Sequence, residues 1–149
     1  MDYQFKLEAL RQYRVFQEEE RQKELAEALR LRDQQAEVLA GLVDLRKKTE
    51  QDMKDKQNGG ITGPYLAIFS NYLNKLASDI FSQNHRVAEA EKNLEKSREA
   101  LLAAMQKRKT LDKLKEKGLK AYMSRLSRNE EKFINEMAIS RFTHRQKQE

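Results

Sequence analysis

The residues of this chain that could perform acid, base or metal chemistry are isolated from one another. His85 and His144 lack the companion ligands of a metal site, which makes both surface histidines. The run Gly59-Gly60-Ile61-Thr62-Gly63-Pro64 is not followed by the Lys-Ser/Thr of a phosphate-binding loop. Paired carboxylates would need a cleft that tunes their pKa values. The sequence therefore predicts a protein that is not an enzyme and that binds no cofactor or metal.

The composition is typical of a long coiled coil. The 149 residues suit one domain, predicted to span residues 1–149, and 36% of them are charged while only 7% are aromatic. Intrinsic disorder is the alternative for so polar a chain, but helical periodicity over most of the length argues against it. There is no cysteine, no signal-peptide pattern and no apolar run of about 20 residues. These features predict a cytoplasmic protein.

The single glycine and proline cluster predicts one turn between two long helices. Asn58 and Gly59 are suitable helix-ending residues, and Pro64 suits the first position of a new helix. The predicted fold class is all-α, with two long helices in an antiparallel coiled-coil hairpin. Helix 1 is expected at about residues 3–57, the tip loop at 58–63, and helix 2 at about residues 64–141.

Folding such a hairpin about position 61 places residue i opposite residue 122 − i. Gly41 would then lie near Phe81 and could receive its bulky ring. In helix 2 the apolar stripe slips near Leu111, which resembles a stutter, and Gly118 nearby predicts a soft point or bend.

Helix 2 is predicted to be longer than helix 1 and to overhang it by roughly 35 Å, at 1.5 Å per residue. The overhang covers about residues 122–149. Its apolar side chains are predicted to have no partner within the chain, so we expect them to bind another molecule. They are Tyr122, Leu126, Phe133, Ile134, Met137 and Phe142.

The net charge of +6 comes entirely from the second half of the chain. Residues 1–75 carry 13 basic and 13 acidic side chains, whereas residues 76–149 carry 17 and 11. The favourable interaction of lysines and arginines with the helix dipole near a helix C-terminus is one explanation for this charge. Their alternation with apolar positions favours a docking surface for an acidic partner instead. A basic arm that grips nucleic acid is an alternative from another class, although stacking aromatics are few.

Four aromatic residues lie close to the predicted tip, at Tyr65, Phe69, Tyr72 and Phe81. Two helices alone cannot cover side chains on every face. The aromatics therefore form either a reinforced core or a binding patch, and the sequence leaves both interpretations open.

Three segments resemble the FliJ family of the bacterial flagellar type III export apparatus. The opening Tyr3-Gln4-Phe5-Lys6-Leu7-Glu8-Ala9-Leu10 is similar to the family's "FxLxxLL" start. The Gly60-Ile61-Thr62 turn followed by the Tyr/Phe-rich residues 65–73 is also similar. The closing run from Glu130 to Phe142 resembles the family's "E-x-K-x-x-D/N-E-x-A" ending. The resemblance spans the whole chain.

The resemblance implies a non-catalytic stalk and general chaperone or escort of protein export. It implies that the end carrying both termini inserts into the hexameric ring of the flagellar export ATPase and stimulates it. It further implies contact with the export-gate protein FlhA and with export chaperones. The protein would then sit peripherally on the cytoplasmic side of the inner membrane at the flagellar base, in the service of motility, with no nucleic acid partner.

Carried onto this sequence, the resemblance assigns two sets of contact residues. The export-gate contact would comprise Tyr72, Leu76, Asp79 and Gln83, of which Asp79 and Gln83 are not apolar here. The ATPase-ring contact would comprise Phe5, Leu7, Leu10, Arg14, Tyr122, Leu126, Phe133, Met137 and Phe142. The stalk protein of an injectisome has the same architecture and is the alternative within this class.

Overall fold

The chain forms two helices that run antiparallel. The computed structural model describes residues 2–148, in which α1 spans Glu8–Asn58 and α2 spans Gly63–Gln148. Met1 and Glu149, which the predicted domain includes, lie outside the described residues. The α1 helix has 51 residues and α2 has 86. The predicted all-α hairpin with a longer second helix is confirmed.

The turn between the helices depends on glycine. The Gly59 amide donates to the Asp55 carbonyl at 3.2 Å, and the Gly60 amide donates to the Gln57 carbonyl at 3.3 Å. Gly60 has a φ of 83°, in the left-handed region that favours glycine. The Leu66 amide donates to the Thr62 carbonyl at 3.0 Å and opens α2. Pro64 is thus the second helical residue, where its missing N–H is still harmless.

The N-terminal boundary differs from the prediction, because α1 begins at Glu8 and not near Tyr3. The Glu8 amide donates to the Phe5 carbonyl at 3.1 Å, which makes a turn just before the helix. The preceding residues leave the helical path, and Tyr3 packs against α2. At the other end α2 continues to Gln148, beyond the predicted limit of about residue 141.

The contacts divide the chain into two compact units. Unit 1 comprises residues 1–18 and 104–149, and unit 2 comprises residues 19–103. In unit 1 the buried apolar residues of the seam between the helices are Ala104 and Leu111. Arg11 contacts Asp112, one position from the partner expected for a fold about position 61. The prediction of a single domain stays a prediction.

In unit 2 the seam is built on Leu76, Ile80 and Leu94. Gln83 lies in the same row and is 3% exposed. Its amide nitrogen donates to the Gln35 carbonyl at 2.9 Å and to the Gln35 side-chain oxygen at 2.7 Å. Gln35 was expected opposite residue 87, so the observed register differs by about one helical turn. The polar side chain of Gln83 is therefore accommodated in the apolar seam by hydrogen bonds between the two helices.

The predicted packing of Phe81 against Gly41 is wrong. A side chain at Gly41 would meet nothing within 4 Å, and Phe81 is 68% exposed. The Phe81 ring instead contacts His85, one turn along the same helix, with 4.8 Å between the ring centroids. The reason is the register: a periodic stripe identifies the buried face of each helix, but a shift of one turn changes which residues meet.

Candidate docking surfaces

The first candidate surface is the part of α2 that extends past α1 in unit 1. Every residue from 123 to 148 is exposed. At 1.5 Å per residue this segment is about 39 Å long, in agreement with the predicted overhang. We call residues 123–148 the overhang. Leu126, Phe133 and Met137 are its predicted contact residues, and all three are exposed.

These overhang residues share one helical face with the seam. Leu126, Phe133 and Met137 follow Leu111 by 15, 22 and 26 residues, which at 100° per residue places them within about 80° of it around the axis. Leu111 is buried against α1, whereas the three overhang residues are not covered. The apolar row that α1 covers in unit 1 therefore continues into the overhang. Tyr122, just before the overhang, lies in the same row. We call Tyr122, Leu126, Phe133 and Met137 the overhang stripe.

Two of the predicted contact residues depart from this arrangement. Tyr122 was expected to have no partner within the chain, and this is wrong: its ring lies 5.6 Å from that of Tyr3. Phe142 follows Phe133 by nine residues, or two and a half turns, so it lies on the opposite face of α2. Both phenylalanines are 63% exposed. Phe142 therefore cannot share one flat contact with the overhang stripe.

The remaining predicted ring-contact residues lie at the N-terminal end of unit 1. Leu7 and Leu10 are exposed, and Phe5 is half-buried. Arg14 is also half-buried, and its Nη1 donates to the Gln17 side chain at 2.8 Å. The structure thus places these four residues and the overhang stripe in the same unit.

A network of ion pairs joins α1 to α2 just before the overhang. Arg11 binds Glu8 through two hydrogen bonds of 2.8 and 3.0 Å and reaches Asp112 at 3.2 Å. Lys115 also lies 3.1 Å from Glu8. The hydrogen bonds from Arg11 and then from Lys115 lower the pKa of Glu8 from 4.5 to about 2. The hydrogen bond to Glu8, followed by that to Asp112, raises the pKa of Arg11.

Arg108 extends this network across the seam. It contacts the carboxylate of Glu18, which is buried, and its Nη1 lies 2.6 Å from Asp112. The hydrogen bond to Glu18, followed by that to Asp112, raises the pKa of Arg108. A carboxylate buried at the seam is unfavourable unless a cation pairs with it. At this position the two helices are therefore joined by ion pairs between charged side chains.

The sequence analysis did not predict the packing of Tyr3 on α2. A Cβ added to Gly118 would clash with the Tyr3 hydroxyl and would lie 3.0 Å from its Cζ. Gly118 lies within an uninterrupted helix, and the absence of a side chain leaves room for this ring. A glycine inside a helical stripe and an aromatic residue at the chain start were the available signals. Only the folded register connects them.

The second candidate surface lies in unit 2, and the predicted gate-contact residues divide into two groups there. Tyr72 and Asp79 are exposed. Leu76 and Gln83 are each 3% exposed, because both belong to the seam. The prediction of one four-residue contact stripe therefore needs correction: only Tyr72 and Asp79 are accessible while α1 and α2 remain paired.

Other residues of the tip extend the accessible part of this surface. Tyr65 and Ile68 are exposed near Tyr72, beside Thr49 and Asp52 of α1. Tyr65 also contacts Phe69 edge to face at 5.6 Å. No residue from Gln57 to Asn74 is charged, although 36% of the chain is. The tip therefore exposes a neutral, aromatic-rich surface, and the half-buried Phe69 contributes to its core.

Neither helix has a stretch, within residues 2–148, that is long and apolar enough to cross a bilayer. In the same part of the chain, His, Asp and Glu do not form a cluster of three that could hold a metal ion. The accessible features are instead an apolar stripe in unit 1 and a neutral aromatic surface in unit 2. The fold defines an α-helical hairpin protein that exposes these two surfaces.

Comparison with known proteins identifies the family. The sequence model of the flagellar FliJ protein matches residues 3–147, and the chain belongs to this family of the flagellar type III export apparatus. Its members are non-catalytic components of that apparatus. No curated protein matches the chain.

A solved structure has the same fold. It is that of a YscO homologue, CT670, from Chlamydia trachomatis, which is 20% identical to this chain. The match has a TM-score of 0.70 and covers 97% of this chain and 99% of the other. At this identity the similarity establishes the two-helix fold.

Proposed function

We propose that this protein is the stalk of a flagellar export ATPase. Its N-terminal segment and overhang insert into the hexameric ring and stimulate ATP hydrolysis. The observation that carries the proposal is the overhang stripe, an apolar row that continues the seam of unit 1 with no helix of its own chain over it. Apolar surface of this kind is characteristic of a binding site for another protein.

Charge supports the same assignment. Lys113, Lys117 and Lys120 are exposed on α2 just before the overhang, and they would meet acidic loops of a ring. Because exposed charges act mainly on the rate of encounter, reversing them should slow association more than it speeds dissociation. If charge reversal at all three lysines left stimulation unchanged, the electrostatic part of the proposal would be wrong.

The test is the ATPase rate of the cognate export ATPase, titrated with the full chain and with a chain that ends at Ala121. We expect stimulation by the full chain and its loss on truncation. Because truncation also removes the Tyr3 contact with Tyr122, a second variant is needed that leaves this contact intact. Phe133→Glu should reduce stimulation strongly. Nucleic acid binding that falls steeply with salt, without stimulation, would favour the basic-arm alternative.

A second contact, with the export gate FlhA, is favoured by the neutral aromatic tip. We propose that Tyr72 and Asp79 contribute directly, together with Tyr65 and Ile68. Leu76 and Gln83 would contribute by maintaining the seam beneath them. Such a contact would link the ring to the gate and hold the protein peripherally at the membrane.

Binding to the cytoplasmic part of FlhA would test this contact. Tyr72→Ala should weaken binding without changing the melting temperature. Leu76→Ala should change both, because Leu76 is a seam residue. Equal binding by Tyr72→Ala and the unmodified chain would exclude the contact. Binding of export chaperones in the same assay would indicate an escort role. Binding of injectisome components would instead indicate service in an injectisome.

A further inference from the structure

The overhang stripe has a symmetry that the proposed ring contact does not require. Its members are spaced by four, seven and four residues: Tyr122, Leu126, Phe133 and Met137. Reversing the order of the stripe gives the same spacing. A two-fold axis between Asn129 and Glu130 therefore places Tyr122 against Met137 of a second copy and Leu126 against Phe133.

The flanks of the stripe have the same symmetry. When two helices pack antiparallel, equivalent flanks face each other. On one flank Arg125 would face Glu136 of the second copy, which pairs opposite charges twice. On the other flank Met123 would face Ile134, and both are exposed apolar side chains. One pair of like charges also meets: Glu130 lies beside the two-fold axis and would face Glu130 of the second copy, which opposes association.

From the symmetric spacing, the paired charges and the continuity with the seam, we infer that the overhang binds a second copy of this chain in an antiparallel arrangement. In the seam of unit 1, α1 covers the same face of α2 and runs antiparallel to it. A second overhang would therefore cover the exposed part of a row that α1 already covers in part.

The paired region has a definite limit at each end. Tyr3 occupies the space above Gly118 and covers only part of Tyr122, which is half-buried, so the second copy must diverge from this face between Tyr122 and Gly118. The next residues of the seam-facing side beyond Met137 are the polar Ser140 and His144. Pairing therefore spans residues 122–137, about 22 Å of helix. This is a small interface, for which we expect a dimer that dissociates in the micromolar range.

The dimer would regulate the proposed stalk, a consequence that rests on the proposed ring insertion. The same stripe cannot contact both a second copy and the ring. Binding to the ring would then compete with self-association, and each would weaken the other. A protein that is not engaged at the ring would thus keep its apolar stripe covered.

Analytical ultracentrifugation of the full chain over a range of concentrations tests the inference without any ATPase. We expect a monomer–dimer equilibrium that Phe133→Glu shifts at least tenfold towards monomer. Phe142→Glu is the matched control, since it makes the same change at the same exposure on the opposite face. A monomer at every concentration, or a dimer equally sensitive to both substitutions, would overturn the inference.

Charge exchange tests the flank. Arg125→Glu and Glu136→Arg should each weaken the dimer, because each places like charges opposite one another. The double variant should restore it. If the double variant were as weak as the sum of the two single ones, this pairing would be excluded.

The direction of pairing can be tested by cysteine crosslinking, since the chain has no cysteine of its own. Asn129 lies beside the two-fold axis. In the Asn129→Cys variant, the cysteines of the two copies should therefore be crosslinked by a short bismaleimide. Ser140→Cys lies on the same side of the helix, but its two copies would be about 30 Å apart in an antiparallel pair. Efficient crosslinking at both positions would indicate a parallel pair and contradict the inference. None of these results depends on ATPase stimulation, so the proposed function can fail or succeed separately.

Discussion

The ring of Tyr3 lies 5.6 Å from the ring of Tyr122, tilted by 41°. It also occupies the space above Gly118, where a Cβ would clash with its hydroxyl. These contacts attach the non-helical N-terminal segment to α2 at the point where the overhang begins. They explain why Tyr122 is half-buried, whereas the other residues of the overhang stripe are exposed.

Gly118→Ala should fail to stabilise the protein, although alanine normally favours a helix over glycine by about 1 kcal/mol. The added methyl group must displace the Tyr3 ring and weaken its contact with Tyr122. In a Tyr3→Ala background the obstacle is absent, and the same substitution should then raise stability by about 1 kcal/mol. Thermal unfolding followed by circular dichroism measures both. An equal gain in the two backgrounds would show that Tyr3 does not occupy this position.

Leu76→Ala should cost about 2–4 kcal/mol of unfolding free energy, because Leu76 is a buried seam residue that leaves a cavity when truncated. Phe81→Ala removes a larger side chain five residues along the same helix. It should cost no more than about 0.5 kcal/mol, since Phe81 is exposed. Denaturant unfolding measures both. A large loss at Phe81 would restore the hypothesis that its ring is buried near Gly41.

Acid should weaken unit 1 through Glu8. Its pKa is lowered from 4.5 to about 2 in the folded protein, so its contribution to stability is fully present above pH 4.5. That contribution is lost as the pH falls from 4.5 towards 2. The difference in melting temperature between the unmodified chain and Glu8→Gln should therefore shrink over this interval. Glu131→Gln in the overhang is the control, and a similar pH dependence there would contradict the assignment to Glu8.

Arg108→Met should lower the melting temperature more than Arg98→Met does. Arg108 contacts the buried Glu18 and also Asp112, so its loss leaves a carboxylate in the seam without its cation. Arg98 makes a surface pair with Glu95 at 3.6 Å, which is worth little. Salt should reduce the small effect at Arg98 further. Equal shifts for the two variants would mean that the cross-seam network does not stabilise unit 1.

Several features of the molecule could be predicted from the sequence because they depend on local chemistry. Gly59, Gly60 and Pro64 specify a turn through backbone geometry alone. The unequal helix lengths follow from the position of that turn, and helical periodicity identifies the apolar row that continues along α2 past the start of α1. The family resemblance rests on the two ends and the tip, and it was confirmed over residues 3–147.

Tertiary structure decided which residues meet. The periodicity identifies the inner face of each helix, but several registers one turn apart satisfy it almost equally. The choice among them buried Gln83 against Gln35 and left Phe81 in solvent. It also removed Leu76 and Gln83 from the accessible tip surface, and it placed Tyr3 over Gly118. Such contacts depend on packing between residues far apart in the chain, and a local pattern does not contain that information.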